Sequence, residues 1–443
     1  MTAAAQPPLT RKAVWAQAWP IMLGQAAIPL VGVVDAAVIG RTGTAADLAG
    51  VALGASVISM VFWAFGFLRM GMSGMAAQAL GRGDRDESRA LLLRGLLLGF
   101  ALGGGLLALS VPLQQAAFAL LAGEPEVTRQ AGHYATARFL GAPAALATYA
   151  LTGWLIGLGR TRPALVLQLV LNLVNAAASI ALVWGLGLGP FGAGLGTAIA
   201  DWLALGVGLL LAGHVLGESL PATWRRLAPG TLTDRTALAR IIRVNADIMA
   251  RTLALLAMFT WFTNAGARLG AVELAANHVL LQFIAMAAFV LDAFAFTAES
   301  HVGQAVGARD HAAFRRAVRL TAEFSAVAGL MLALAFLALG QPLVALIATD
   351  PGVRAEAARM LPFAAAVPLL GMPSWLLDGV FIGATQGRAL RNAAVAATLA
   401  YLALDLALRP YANLGAWSAF AASYLLRAGA LSAHWPTLVR SLR

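Results

Sequence analysis

Asp35 stands inside one of the most apolar stretches of the chain, Val14 to Ile39, six residues after Pro29. An ionisable side chain in hydrocarbon costs at least roughly 2.5 to 3.5 kcal/mol at a helix centre, so it normally faces a bundle interior or a water-filled cavity. Burial disfavours the charged form of a carboxyl group, which makes protonation a usable switch. Pro29 lacks a backbone N–H and crowds the preceding turn, giving the same helix a place to bend. A carboxylate beside a hinge couples charge to shape. The competing reading is a hydrogen bond to a neighbouring helix with no part in a switch.

Gln168, Asn172, Asn175 and Ser179 are separated by four, three and four residues. That spacing lays them on one helical face, which would be unfavourable against lipid and is expected to point inward, for a proton site or for interhelical hydrogen bonds. Asp201, halfway along a later apolar stretch, is expected either to supply a second carboxylate or to be a buried structural acid. In the second half, Asp247 and Arg251 are four apart and can pair on one face as a structural or gating salt bridge. Asp292 and Glu299, seven apart, share a face, and Asp378 completes an acid set for which Arg69 and Arg427 are plausible counter-charges.

Other chemistries find no support. Glu299, Ser300 and His301 are adjacent, and neighbours on a helix point about 100° apart, so they do not converge as a catalytic group. His278 has no second ligand at i+3 or i+4, and cysteine is absent, so no metal site, thiolate or disulfide framework is expected. Lys12 is the only lysine. A phosphate-binding loop of the Walker type needs its own lysine, so ion or proton gradients are left as the energy source, with no cofactor and no enzymatic activity expected.

Elements able to position such residues follow from composition. Sixty per cent of the 443 residues are apolar, 12% are charged and the mean hydropathy is +0.78, which calls for a bilayer as solvent. The net charge of +11 lies in short arginine clusters between apolar runs, the pattern of cytoplasmic loops rather than of nucleic-acid binding. Apolar runs predict spans at 14–39, 48–79, 90–111, 130–158, 163–185 and 190–214, then at 240–265, 272–305, 317–339, 355–384, 389–408 and 413–438. Arg11 and Lys12 lead directly into the first span, which is expected to be retained. With both termini in the cytoplasm, the inner loops hold clusters such as Arg82, Arg85 and Arg89, while the outer loops hold scattered Arg41, Arg129, Arg268, Arg354, Arg359 and Arg409.

The halves repeat. Gln78, Gly81 and Asp84 match Gln304, Gly307 and Asp310, and 304 minus 78, 307 minus 81 and 310 minus 84 all equal 226. The same shift carries Gly153, Ile156, Gly157 and Arg162 onto Gly379, Ile382, Gly383 and Arg388. Two matches in one register indicate duplication. The expected organisation is a cytoplasmic tail at 1–12, an N-lobe at 13–216, a cytoplasmic linker at 217–237 and a C-lobe at 238–443. Six spans per half, an even number, predict lobes related by a pseudo-two-fold axis along the membrane normal.

Several segments, in order and nearly over the whole length, resemble the multidrug and toxic compound extrusion (MATE) family, and specifically its DinF branch. They are PLVGVVDAAVIGR around Asp35, FLRMGMSGMAAQALG around Arg69 and Gln78, NADIMAR at Asn245 to Arg251, ANHVLLQF, LDAFAFTAE at Asp292 to Glu299, and DGVFIGAT with RN at Asp378 to Asn392. The resemblance implies two six-helix bundles enclosing a V-shaped cavity, and export of lipophilic, often cationic compounds in exchange for protons or sodium ions. It makes the C-lobe acids a candidate cation site. Where the family commonly has an Asn and, four residues later, an Asp in the fifth helix, this chain has Asn175 and Ser179, so the two-carboxylate arrangement is incomplete.

The expectation is an all-α polytopic protein of the inner (plasma) membrane with 12 transmembrane helices, monomeric and in contact with lipid. It works as a proton-coupled multidrug exporter by alternating access, with Asp35, Asn175, Ser179 and Asp201 at the coupling site and Pro29 as hinge. The alternatives are sodium coupling and a flippase for lipid-linked precursors, which would favour a cationic cavity that the excess of intramembrane acids argues against.

Overall fold

A computed structural model describes residues 8–121, 124–440 and 442. The first seven residues of the expected tail at 1–12 lie outside the described residues. Among the described residues all regular structure is helical. In the first half the helices are α1 (Arg11–Ala27), α2 (Leu30–Thr42), α3 (Ala45–Ala64), α4 (Phe67–Gly81), α5 (Arg85–Ala108), α6 (Ser110–Leu121), α7 (Pro125–Phe139), α8 (Ala142–Gly157), α9 (Thr161–Ile180), α10 (Gly189–Leu216) and α11 (Leu220–Arg226). The second half has α12 (Arg235–Leu269), α13 (Ala271–Gly307), α14 (His311–Ile347), α15 (Pro351–Gly383), α16 (Gly387–Leu408), α17 (Ala412–Ala433) and α18 (Trp435–Arg440).

By length and apolarity nine helical stretches among the described residues can cross a membrane, ten if α7 and α8, bent by 54°, form one broken span. The sequence predicts twelve, and the difference has two physical sources. The stretch Gly387–Arg440 contains α16 and α17, which turn at the 3₁₀ segment Arg409–Tyr411 and pack against each other. Helix α12 is 35 residues long, but Arg240, Arg243, Asp247 and Arg251 make its first half polar. Large apolar side chains such as Leu173, Leu210 and Leu346 are left exposed, as lipid-facing residues are.

The chain divides into two compact units. One comprises Met1–Met22, Ala77–Gly83 and Ile241–Arg443; the other comprises Leu23–Ala76 and Asp84–Arg240. The second-half unit is centred on aromatic packing, with Phe262 stacked on Phe420 at 4.4 Å between ring centroids and Trp417 edge-on to Phe262 at 5.0 Å. The first-half unit packs small residues so that backbones approach closely, as membrane helices do. Its buried Trp154 anchors α8 to α5 by donating from Nε1 to the Ser88 carbonyl at 2.9 Å.

The repeated motifs are chain-reversal devices. Asp84 and Asp310 cap the N-termini of α5 and α14, accepting from backbone N–H groups at 2.9 Å. The residue before each Asp is left-handed, Gly83 at φ 72° and Arg309 at φ 54°, and the next pair under the same shift, Gly159 and Thr385, has φ 71° and 53°. Backbone conformation has outlasted residue identity, although Arg309 and Thr385 carry a steric cost that glycine escapes.

The glycines of the second motif mark helix crossings. A Cβ at Gly153 would collide with the Arg69 carbonyl, and one at Gly379 with the Ala295 carbonyl. The contact partners 69 and 295 also differ by 226, so each unit contains the same crossing. Gly153→Ala and Gly379→Ala should each cost about 1 to 3 kcal/mol, because backbone must move to admit the methyl group. The readout is the thermal unfolding midpoint in detergent, and unchanged midpoints would refute the packing argument.

The segment after α10 lies along the first-half unit. Glu218 pairs with Arg89 at 2.8 Å and Arg226 at 3.1 Å. Further on, Arg240 reaches Glu87 at 2.8 Å, while the buried Arg94 binds Glu87 and the Thr231 carbonyl. The linker expected at 217–237 is therefore held down rather than free.

Candidate functional site

Four helices of the first-half unit converge on Asp35. The long first apolar stretch is interrupted at Ile28–Pro29, so the expected hinge position falls between α1 and α2. A helix end leaves carbonyl groups without intrahelical partners. At the end of α1 the Ala27 carbonyl accepts from Asn172 Nδ2 at 2.8 Å. Helix α2 then carries Asp35 into the unit, where it is fully buried.

Along α9 the four polar residues make contacts in turn. Gln168 Nε2 donates to Asn172 Oδ1 at 3.2 Å, and Asn172 continues to the helix break. One turn on, Asn175 Nδ2 donates to Asp35 Oδ1 at 3.2 Å, and Ser179 Oγ donates to the same oxygen at 3.1 Å. The other oxygen, Oδ2, accepts from the Tyr134 hydroxyl of α7 at 3.0 Å and from Thr197 Oγ1 of α10 at 3.3 Å. Asn175 Nδ2 also lies 2.7 Å from Thr197 Oγ1. Glycines set these distances: a Cβ at Gly196 would sit 2.6 Å from Ser179 Oγ, and one at Gly194 would strike the Tyr134 carbonyl.

Every direct partner of Asp35 is neutral. The charge nearby is Arg138, one turn beyond Tyr134 on α7, within electrostatic reach of Asp35. Arg138 is bound to Asp201 at 2.8 Å and lies over the Phe62 ring at 5.3 Å. Asp201 therefore belongs to the same cluster, but it meets a guanidinium rather than Asp35. With both acids ionised the cluster of Asp35, Arg138 and Asp201 carries one net negative charge, and adding one proton neutralises it.

Sequence reasoning missed Tyr134, Arg138 and Thr197. Arg138 left a signal, an arginine eight residues inside the predicted span 130–158. The hydroxyl groups left none, because Tyr and Thr are ordinary residues of apolar helices.

In the second-half unit the expected pairing of Asp247 with Arg251 is not formed. Asp247 pairs with Arg391 of α16 at 2.6 Å, and Arg251 pairs with Asp378 of α15. Four-residue spacing permits contact along a helix, but partners on packed neighbouring helices reach these groups with better geometry. Asp378 also receives Arg427 of α17 at 3.4 Å, and Arg427 Nη2 donates to Ser374 Oγ at 2.8 Å. Of the candidate cation set, Asp378 is thus paired with two of the protein's own guanidinium groups. Glu299 is fully buried in α13 and Asp292 half-buried on the same helix. Gln282 approaches His278 at 3.4 Å. No group of three or more acids or histidines able to hold a metal ion occurs among the described residues.

These features define a multi-pass helical membrane protein with a buried cluster of two acids and one guanidinium in one half. Comparison with known proteins then gives the family. The family model described as MatE matches twice, at residues 20–181 and 248–407, whose last residues differ by 226 and first residues by 228. The chain is 34% identical over 430 residues to the DNA damage-inducible protein F of Escherichia coli (strain K12), covering 96% of this chain and 92% of that protein. It is 30% identical over 352 residues to the probable multidrug resistance protein NorM of Aromatoleum aromaticum, covering 77% and 73%. Among solved structures, the Vibrio cholerae MATE transporter VcmN in the bent form superposes with a TM-score of 0.87 at 18% identity, covering 98% of this chain and 97% of that one. The chain belongs to the multidrug and toxic compound extrusion family, in its DinF branch.

Proposed function

We propose that this protein is a proton-coupled exporter of lipophilic, cationic small molecules, a monomer of twelve crossings in the inner membrane with both termini cytoplasmic. The carrying observation is the cluster of two acids and one guanidinium around a fully buried Asp35 whose direct partners are all neutral donors. The names of its relatives, multidrug resistance proteins among them, support the substrate class.

Hydrogen-bond chemistry favours one carboxylate oxygen for the proton. An amide N–H can only donate, so Asn175 keeps Oδ1 an acceptor, whereas hydroxyl groups can turn and accept. The proton is therefore taken up on Oδ2, opposite Tyr134 and Thr197. Thr197 has a second acceptor in the Ala193 carbonyl at 3.3 Å, and Ser179 reaches the same carbonyl at 3.5 Å. Protonation on Oδ2 reverses the Thr197 bond, turning that hydroxyl toward the Ala193 carbonyl, and removes the charge that strengthens the bonds from Asn175 and Ser179, so α9 and α10 hold α2 less tightly. Because Asn172 of the same α9 face holds the Ala27 carbonyl, that change acts directly on the helix break at Pro29. The Asp378 cluster of the second-half unit serves as structure, since Asp378 is already neutralised by Arg251 and Arg427.

The test is efflux of a lipophilic cationic dye from proteoliposomes under an imposed pH gradient, and separately under a sodium gradient of equal size. Efflux driven by the pH gradient without sodium is expected. Efflux that answers to sodium alone would overturn proton coupling.

A further inference from the structure

The repeat shift applied to the Asp35 cluster leads to a second buried acid, in the second-half unit. Adding 226 carries Asp35 to Trp261, Asn175 to Tyr401 and Ser179 to Asp405. These are in contact: Trp261 Nε1 of α12 donates to Asp405 Oδ2 of α16 at 2.8 Å. In the first half the acid is on the first of the two helices and a donor on the other, Ser179 Oγ to Asp35 Oδ1 at 3.1 Å. In the second half acid and donor have changed sides. The two halves thus share an acid–donor pair between equivalent helices, although neither residue type matches at its equivalent position.

The surroundings of Asp405 are those of an exchange site rather than a closed salt bridge. Its side chain is 3% exposed, its one direct hydrogen-bond donor is a neutral indole, and its counter-charge, Arg268 Nη2, stands off at 3.7 Å. Arg268 is 39% exposed, lies over the Trp261 ring at 5.5 Å and is tethered by Asn264 Oδ1 at 2.7 Å. One turn before Asp405, Tyr401 is fully buried and its hydroxyl has no hydrogen-bond partner among the described residues. That hydroxyl lies within electrostatic reach of both Asp405 and Arg268. Its counterpart, Asn175, likewise has a buried Oδ1 without a partner.

The charged and titratable groups facing Asp405 are Arg268 from α12 and Tyr401 from its own helix. On α15, Glu356 is held by Asn413 at 2.7 Å and Arg359 at 3.4 Å. On α17, Tyr424 and Arg427 lie in the second half of the helix, and Arg427 is committed to Asp378.

We propose that Asp405 is a second proton-binding site, with Arg268 as its loosely held counter-ion. The carboxylate exchanges its proton past the partly exposed Arg268 guanidinium, with the unpaired Tyr401 hydroxyl one turn away on the same helix. Two protons then enter per substrate molecule exported, one at each acid.

This inference rests on proton coupling at Asp35, and the experiment separates the two. Proton uptake and ethidium export are counted in the same proteoliposomes for the wild type, Asp35→Asn, Asp405→Asn and Asp405→Glu, each checked for an unchanged thermal midpoint. Expected are two protons per ethidium for the wild type, one for Asp405→Asn with export retained, and two again for Asp405→Glu. Coupled export retained by Asp35→Asn would sink the first-half reading. A wild-type ratio of one, or a ratio unmoved by Asp405→Asn, would sink the second site alone. If Asp405→Asn fails to fold, Arg268→Gln and Trp261→Phe replace it: a proton site predicts a shifted pH profile of export in both, and unshifted profiles overturn it.

Discussion

Asp35→Asn protein in liposomes will fold, bind substrate and export none of it when a pH gradient is the only driving force. The amide is nearly isosteric, and the hydrogen bonds around Asp35 accept it without strain. Its oxygen takes the place of Oδ1, where Asn175 and Ser179 donate at 3.2 and 3.1 Å. Its NH₂ takes the place of Oδ2, where the Tyr134 and Thr197 hydroxyls can turn to accept. The variant therefore imitates the protonated acid permanently. Export should drop to that of empty liposomes, with a thermal midpoint equal to or above the wild-type value because a buried charge is gone. Wild-type efflux from this variant would remove Asp35 from the mechanism.

The second large effect is on stability. Asp378→Ala takes away the carboxylate shared by the guanidinium groups of Arg251 and Arg427, which are 8% and 6% exposed. Removing one partner from a buried ion cluster costs about 3 to 5 kcal/mol, because the remaining charge keeps its desolvation penalty and loses its compensation. A collapse of the thermal midpoint in detergent is expected. The double variant Asp378→Ala with Arg427→Met should recover part of the loss, since it deletes like charge along with the acid. No recovery would mean that the two side chains do not share one electrostatic unit.

What the residues revealed in advance follows from how membrane helices are built. Asp35 and the α9 face were legible because charge and amide groups in apolar stretches have few structural reasons to be there. The repeat was legible because its motifs encode turns and crossings, Gly83 with Asp84 and Gly153 among them, where few residues fit. Tyr134 and Thr197 were not legible, since their hydroxyl groups become partners only when α7 and α10 pack against α2. The partners of Asp247 and Arg251 were misjudged for a related reason: spacing along one helix does not know what α15 and α16 bring to it. Asp405 was overlooked three residues from the end of a predicted span, where an acid looks interfacial. Only contact with Trp261 shows that it is buried.

The ion pairs that hold the connecting segment have a consequence for how the protein can be made. Glu218 with Arg89 and Arg226, and Thr231 and Arg240 with Arg94 and Glu87, fasten the connection on both sides of Pro229 to the same unit. Continuity of the peptide bond at Pro229 and Gly230 therefore contributes little to holding that segment in place. A break there leaves each side of the connection tied to the first-half unit, through Glu218 on one side and Thr231 and Arg240 on the other.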